Sequence, residues 1–181
     1  MCVLLSYLGY SQTYKFAELA GSPINATGWN LQGGAVLGNT GNNTGKDEVV
    51  LTEAVRSTAG SIFYNIPINL AVCNKWIAEY EFRITGGSGA DGLAFCYLEV
   101  PPVGFANGEG LGIPKAANGL KVCIDTYWNG FDPSNACPSG VPKLQLRWGY
   151  GYQECNDQQP NFLNTTGELN FIRDGNYHKA R

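Results

Sequence analysis

Residues 76–84 alternate strictly in polarity. Trp76, Ala78, Tyr80, Phe82 and Ile84 share one side; Ile77, Glu79, Glu81 and Arg83 share the other. Successive side chains of a strand point to opposite faces, so the pattern predicts a strand with one buried face. Residues 143–148 repeat it, with Leu144, Leu146 and Trp148 set against Lys143, Gln145 and Arg147. Shorter runs predict strands at 14–19, 30–37, 48–52, 61–65, 92–98, 120–126 and 168–172. Gly, Asn and Pro mark loops at 38–45, 85–89, 100–110 and 149–167. Residues 47–59 lack Gly and Pro, and Val50, Leu51, Ala54 and Val55 would suit a helical stripe. A strand through Leu51 followed by a loop is the preferred reading. Many short strands, frequent turn signals and no convincing long helix indicate an all-β sandwich or jelly roll.

Composition narrows the class further. The 181 residues are 15% charged and carry 24 glycines, a profile far from a helical bundle or coiled coil. At 44% hydrophobic the chain has the means to bury a core and is not a disordered segment. The net charge of −3 and the lack of any Lys/Arg run exclude nucleic acid as a partner, and no apolar stretch is long enough for a transmembrane segment. Residues 1–12, MCVLLSYLGYSQ, read as a signal-peptide remnant, with a short hydrophobic strand as the alternative. Cys2, Cys73, Cys96, Cys123, Cys137 and Cys155 contain no CxxC pair, and one histidine, His178, completes no Cys/His zinc pattern. Cys137 and Cys155 lie on loops that could meet; Cys96 and Cys123 sit mid-strand, where buried free thiols are the plain expectation. The sequons at Asn25, Asn42 and Asn164 matter only if a eukaryote secretes the chain.

Enzyme patterns come up short. There is no GxSxG and no P-loop spacing, and the candidate strand 122–128 offers only one carboxylate, Asp125. That strand runs on through Asp125, Tyr127, Asn129 and Asp132-Pro133. Three oxygen side chains and the Tyr127 carbonyl would suit one hard cation such as Ca2+, although Asn, Gly, Asp and Pro are also ordinary turn residues.

Several short pieces, taken in order, carry a resemblance. They are Asn30-Leu-Gln-Gly-Gly-Ala35, Val50-Leu-Thr52, Gly60-Ser-Ile-Phe-Tyr64 with Pro67-Ile68, Ala90-Asp-Gly-Leu-Ala-Phe95, Gly108-Glu-Gly-Leu-Gly112 and the loop from Asp125 to Pro133. Over residues 14–181 the chain resembles an L-type (legume-type) lectin domain, and looks closest to lectin modules of large secreted bacterial proteins. The resemblance implies a concanavalin A-like jelly-roll sandwich with a sugar site above its concave sheet. It implies that Asp91 accepts from two sugar hydroxyls next to a cis Ala90–Asp91 peptide held through calcium-bound water. It further implies that Gly108 donates its backbone N–H, that Asn129 binds both sugar and calcium, and that Tyr127 offers its ring to the sugar and its carbonyl to the metal. Asp125, Tyr127, Asn129 and Asp132 would form the single Ca2+ site.

The departures from that family are specific. Cys123 stands where plant members carry a Glu two residues before the metal-loop Asp, and no His follows the Asp-Pro until His178, so a Mn2+ site is not expected. The short gap from Asn129 to Asp132 weakens the case for Asp132. Cys123 and Trp128 occupy the two glutamate positions of related β-glucanases, which argues against a glycoside hydrolase. The pattern also breaks off at 177–181 where the family begins a strand, so residues 13–181 are expected to be a lectin-like domain incomplete at its C-terminal strands, part of a longer multidomain protein. The expectation is a non-enzymatic, calcium-dependent carbohydrate-binding module, secreted or at the cell surface, with glycans or polysaccharide as partner. An adhesion or spacer module that has lost the sugar is the alternative.

Overall fold

The computed structural model describes residues 17–38, 47–68, 75–128, 142–152 and 162–181. Its main sheet is antiparallel and built from β6 (Gly92–Leu98), β7 (Gly119–Asp125), β8 (Lys143–Arg147) and β9 (Phe162–Thr165), in that order. Three two-stranded ladders accompany it. β1 (Trp29–Gly33) pairs with β4 (Gly60–Tyr64), β2 (Val36–Leu37) with β3 (Val49–Val50), and β5 (Tyr80–Phe82) with β10 (His178–Ala180). Among the described residues the only helical element is a 3-10 turn at Gly108–Gly110.

One face of the main sheet meets an aromatic layer. The rings of Tyr80 and Phe95 stack at 5.6 Å and those of Trp76 and Tyr97 at 5.7 Å. Stacked or offset pairs of this kind add about 0.5–1.5 kcal/mol each beyond area burial. The opposite face is roofed by the segments on either side of Ile113 and Tyr152. There Ile113, Ala117, Cys123 and Tyr152 form a buried cluster, with Ala94, Cys96, Leu98 and Leu111 against it. Cys96 and Cys123 are both free thiols. Burial pushes Cys96 up to about 11 and raises Cys123 as well, so both stay protonated.

The far pole of this sheet is pinned. Gly119 and Gly149 exchange both backbone hydrogen bonds, at 3.1 and 3.0 Å. The Lys121 ammonium, buried on the roofed face, donates to the carbonyls of Gly119 and Gly149. Gly119 must be glycine: its φ is +142°, and a Cβ there would sit 2.2 Å from the Tyr97 carbonyl oxygen.

Several expectations change. The alternating segment 76–84 is strand only at Tyr80–Phe82, and Trp76, placed on the buried face, is exposed. Segment 30–37 breaks into β1 and β2 at Gly33, whose φ is +65°. Segment 168–172 is a turn, closed by Ile172 N to Leu169 O at 2.9 Å, with Ile172 alone turned inward. The expected loop 149–167 contains β9. The face assignment of β8 reverses: Lys143, Gln145 and Arg147 are the buried side, and Trp148 is exposed. The roof supplies the reason. It brings carbonyls, a hydroxyl and an aromatic ring over the polar side. Arg147, for example, donates to Gln145 Oε1 at 2.9 Å and lies over the Tyr152 ring.

Candidate functional site

β6 begins and β7 ends at the same pole. Gly92 pairs with Asp125, and the ladder continues as Thr126 N donates to the Asp91 carbonyl at 2.9 Å. Thr126 Oγ1 donates at 2.7 Å to the carbonyl of Gly89. One residue therefore grips the chain on both sides of Ala90, and fixes where Asp91 leaves the sheet. The Ala90–Asp91 peptide is cis. Gly89 itself is buried beneath the Arg173 guanidinium, which donates to Ser88 O at 3.2 Å.

Asp125 is 1% exposed. Its Oδ1 accepts from Tyr127 N at 3.2 Å and its Oδ2 from the Tyr152 hydroxyl at 2.9 Å. Burial pushes this carboxyl above the usual carboxylate range. The two hydrogen bonds and the charge of Lys143 pull it back, and the charge of nearby Asp91 adds to the rise. The Tyr152 hydroxyl is likewise held protonated by burial and by Asp125.

The rim is different in character. Asp91 is half-buried at its lip, and Tyr127 and Trp128 are exposed. The turn carrying Gly108 is fastened at Leu111, whose N–H donates to Gly108 O at 2.9 Å. Leu111 rests on the strand start: a Cβ on Gly92 would meet its Cδ2 at 3.1 Å. Gly108 itself faces open space, with φ +70° and nothing within 4 Å of where a Cβ would stand.

Of the residues singled out from the sequence, Asp91, Gly108, Asp125 and Tyr127 thus gather at one pole. Asn129 and Asp132 lie outside the described residues, as do Cys2, Cys73, Cys137 and Cys155. Three participants were not anticipated. Thr126 and Tyr152 carry no signal of their own, since each depends on a partner distant in sequence. Lys143 had a signal, a lone cation at a strand start, but alternation assigned it to solvent. His178, the single histidine, is elsewhere, on β10 beside Phe82 and 2.9 Å from Asp174.

The pole presents one accessible carboxylate, a second carboxylate sealed beneath it, exposed aromatic rings and an unobstructed glycine. Such a set matches the hydroxyl edges and apolar C–H face of a sugar ring. The sealed carboxylate cannot serve as the second acid of a hydrolytic pair, because both its oxygens are engaged and it is closed to substrate.

The profile of the legume-like lectin family matches residues 13–158. Among solved structures, the exoplasmic/lumenal domain of VIP36 in its Ca2+/Man3GlcNAc-bound form is similar with a TM-score of 0.58 at 20% identity, covering 87% of this chain and 60% of that one. The metal-free form gives 0.59 at 19% identity, covering 88% and 63%. The Ca2+/Man2-bound form gives 0.59 at 18% identity with the same coverage. The chain thus spans less than two thirds of the length of the VIP36 domain, and at these identities the likeness is one of fold. No curated protein sequence matches the chain.

Proposed function

Since the chain belongs to the legume-like lectin family, we propose that it is a calcium-dependent carbohydrate-binding module without enzymatic activity, working in a secreted or cell-surface setting. The observation that carries this reading is the grip of Thr126 on Gly89 and Asp91. It presents a half-buried carboxylate at the rim, between an exposed tyrosine and an open glycine turn. Asp91 would accept from sugar hydroxyls, the Tyr127 ring would cover the sugar's apolar face, and Gly108 would donate its N–H where a side chain would obstruct. Asn129 would add an amide donor.

The donor set fits calcium in kind. Asp125 and the Tyr127 carbonyl are hard oxygens, as are the side chains of Asn129 and Asp132, and calcium takes about 6–8 oxygen ligands in adaptable geometry. Asp125 is also a buried carboxylate whose charge its hydrogen bonds offset only in part. The ion would supply fixed positive charge that ties the loop after β7 to Asp125. Carbohydrate-bound and calcium-bound forms of VIP36 support the reading by analogy of fold. Among the described residues no helix is long and apolar enough to cross a membrane.

A glycan array probed with and without chelator tests the proposal. Binding to at least one glycan is expected, lost in EDTA. Asp91→Asn should abolish it with the melting temperature kept. Charge-assisted hydrogen bonds are about twice as strong as neutral ones, and an amide cannot accept at both positions. Calcium should raise the melting temperature, because it binds the native state. An array without hits would favour the spacer alternative, and binding kept by Asp91→Asn would move the sugar elsewhere.

A further inference from the structure

The β7–β8 register sets Lys143 directly opposite Asp125. Lys143 is 4% exposed, and its Nζ is sealed from solvent without a single hydrogen bond. The other buried cations of this face are satisfied differently: Lys121 by two carbonyls, Arg147 by the Gln145 amide. An ammonium has three donors and no acceptor, so burying one unpaired is expensive unless a nearby negative charge compensates. Asp125 is that charge. Its own hydrogen bonds come from Tyr127 and Tyr152, and Lys143 acts on it through charge alone. A carboxylate has about four lone-pair sites, and here two are taken by those donors.

The next rung along the same face matters too. There Cys123 pairs with Gln145, both fully buried. That rung offers a neutral thiol and an amide, not a carboxylate. A second divalent ion placed along this face beside Asp125 would therefore meet the fixed positive charge of Lys143 and gain no carboxylate from the next rung.

We propose that Lys143 is the resident cation of the Asp125 site: its ammonium supplies there charge that a metal ion would otherwise bring, and it thereby limits the site to one divalent ion. The limit on ion number rests on the calcium reading above; the resident-cation role does not.

The test uses the full 181-residue chain and the variants Lys143→Met, Asp125→Asn and their double. In EDTA, Lys143→Met should lower the melting temperature by leaving Asp125 buried without a cation. Adding Asp125→Asn to it should restore part of that loss. Additive losses, or a double variant that folds no better than Lys143→Met, overturn the proposal. In calorimetric titration with CaCl2 and then MnCl2, wild type should take one ion at most. Lys143→Met should bind calcium at least about tenfold more tightly, or take up a second ion, since each tenfold is about 1.4 kcal/mol and the removed charge repels the metal directly. Unchanged affinity and stoichiometry in a wild type that does bind calcium overturn it as well. If neither protein responds to metal but the coupling in EDTA persists, the calcium reading fails and Lys143 stands as the site's own cation.

Discussion

The Thr126 hydroxyl donates to the carbonyl of a buried residue, Gly89, and is itself 2% exposed. Replacing it with valine keeps the shape and the backbone bond to Asp91 but strips that carbonyl of its donor. Leaving a buried polar group unpaired costs about 1–3 kcal/mol. Thr126→Val should therefore lower stability by about that amount, measured by urea denaturation. It should weaken glycan binding as well, because Asp91 no longer leaves the sheet from a fixed point. Thr126→Ser, which keeps the hydroxyl, should restore both. Wild-type stability and affinity in Thr126→Val would show that the segment is held from elsewhere.

At the scale of strands, close backbone approach sets what each position tolerates. Gly119→Ala puts a methyl group 2.2 Å from the Tyr97 carbonyl oxygen at a φ of +142°. Overpacking typically costs about 1–3 kcal/mol, and the unfavourable backbone conformation adds to it. The urea midpoint should fall accordingly, while Asp91, at the other end of β6, keeps its contacts. A midpoint equal to wild type would mean that the start of β7 can shift without penalty. The same scale shows why some strands could be read in advance. β6 and β7 are apolar runs bounded by glycine and turn residues, and their joint pole carries the quoted motifs around Asp91 and Asp125. β8 was recognisable as a strand but not by its buried face. Period-two reasoning assumes that cover is apolar, whereas here it consists of carbonyls, an aromatic ring and Asp125. β9 is only four residues long and lies amid turn formers, so no run announced it. Thr126, Tyr152 and Lys143 depend on contacts across the sheet, which neither periodicity nor composition encodes.

In the molecule as a whole, the two faces of the main sheet are covered unequally. The aromatic layer spans β6, but on β8 Leu144 and Leu146 are only half-buried and Trp148 is 54% exposed. A contiguous apolar surface of this kind marks an association site or an aggregation liability. Sedimentation velocity of the 181-residue chain should show association that grows with concentration, and Trp148→Ser should shift it toward monomer. A wild-type monomer at every concentration would contradict this. The ends of the sheet also differ. At the far pole, reciprocal Gly119–Gly149 bonds and the Lys121 ammonium bind the two backbone segments together. At the Asp91 pole, the last rung ends in a buried carboxylate, Asp125, and the side-chain hydroxyl of Thr126. Proteins open in contiguous units, beginning where backbone bonds are fewest. Amide exchange should accordingly run as a zipper, with protection lowest at Asp91 and Thr126 and highest at Gly119 and Gly149. Ligand occupancy would then be felt as a slowing of the first step of that zipper, and the protein would carry its binding record in the order in which its protons leave.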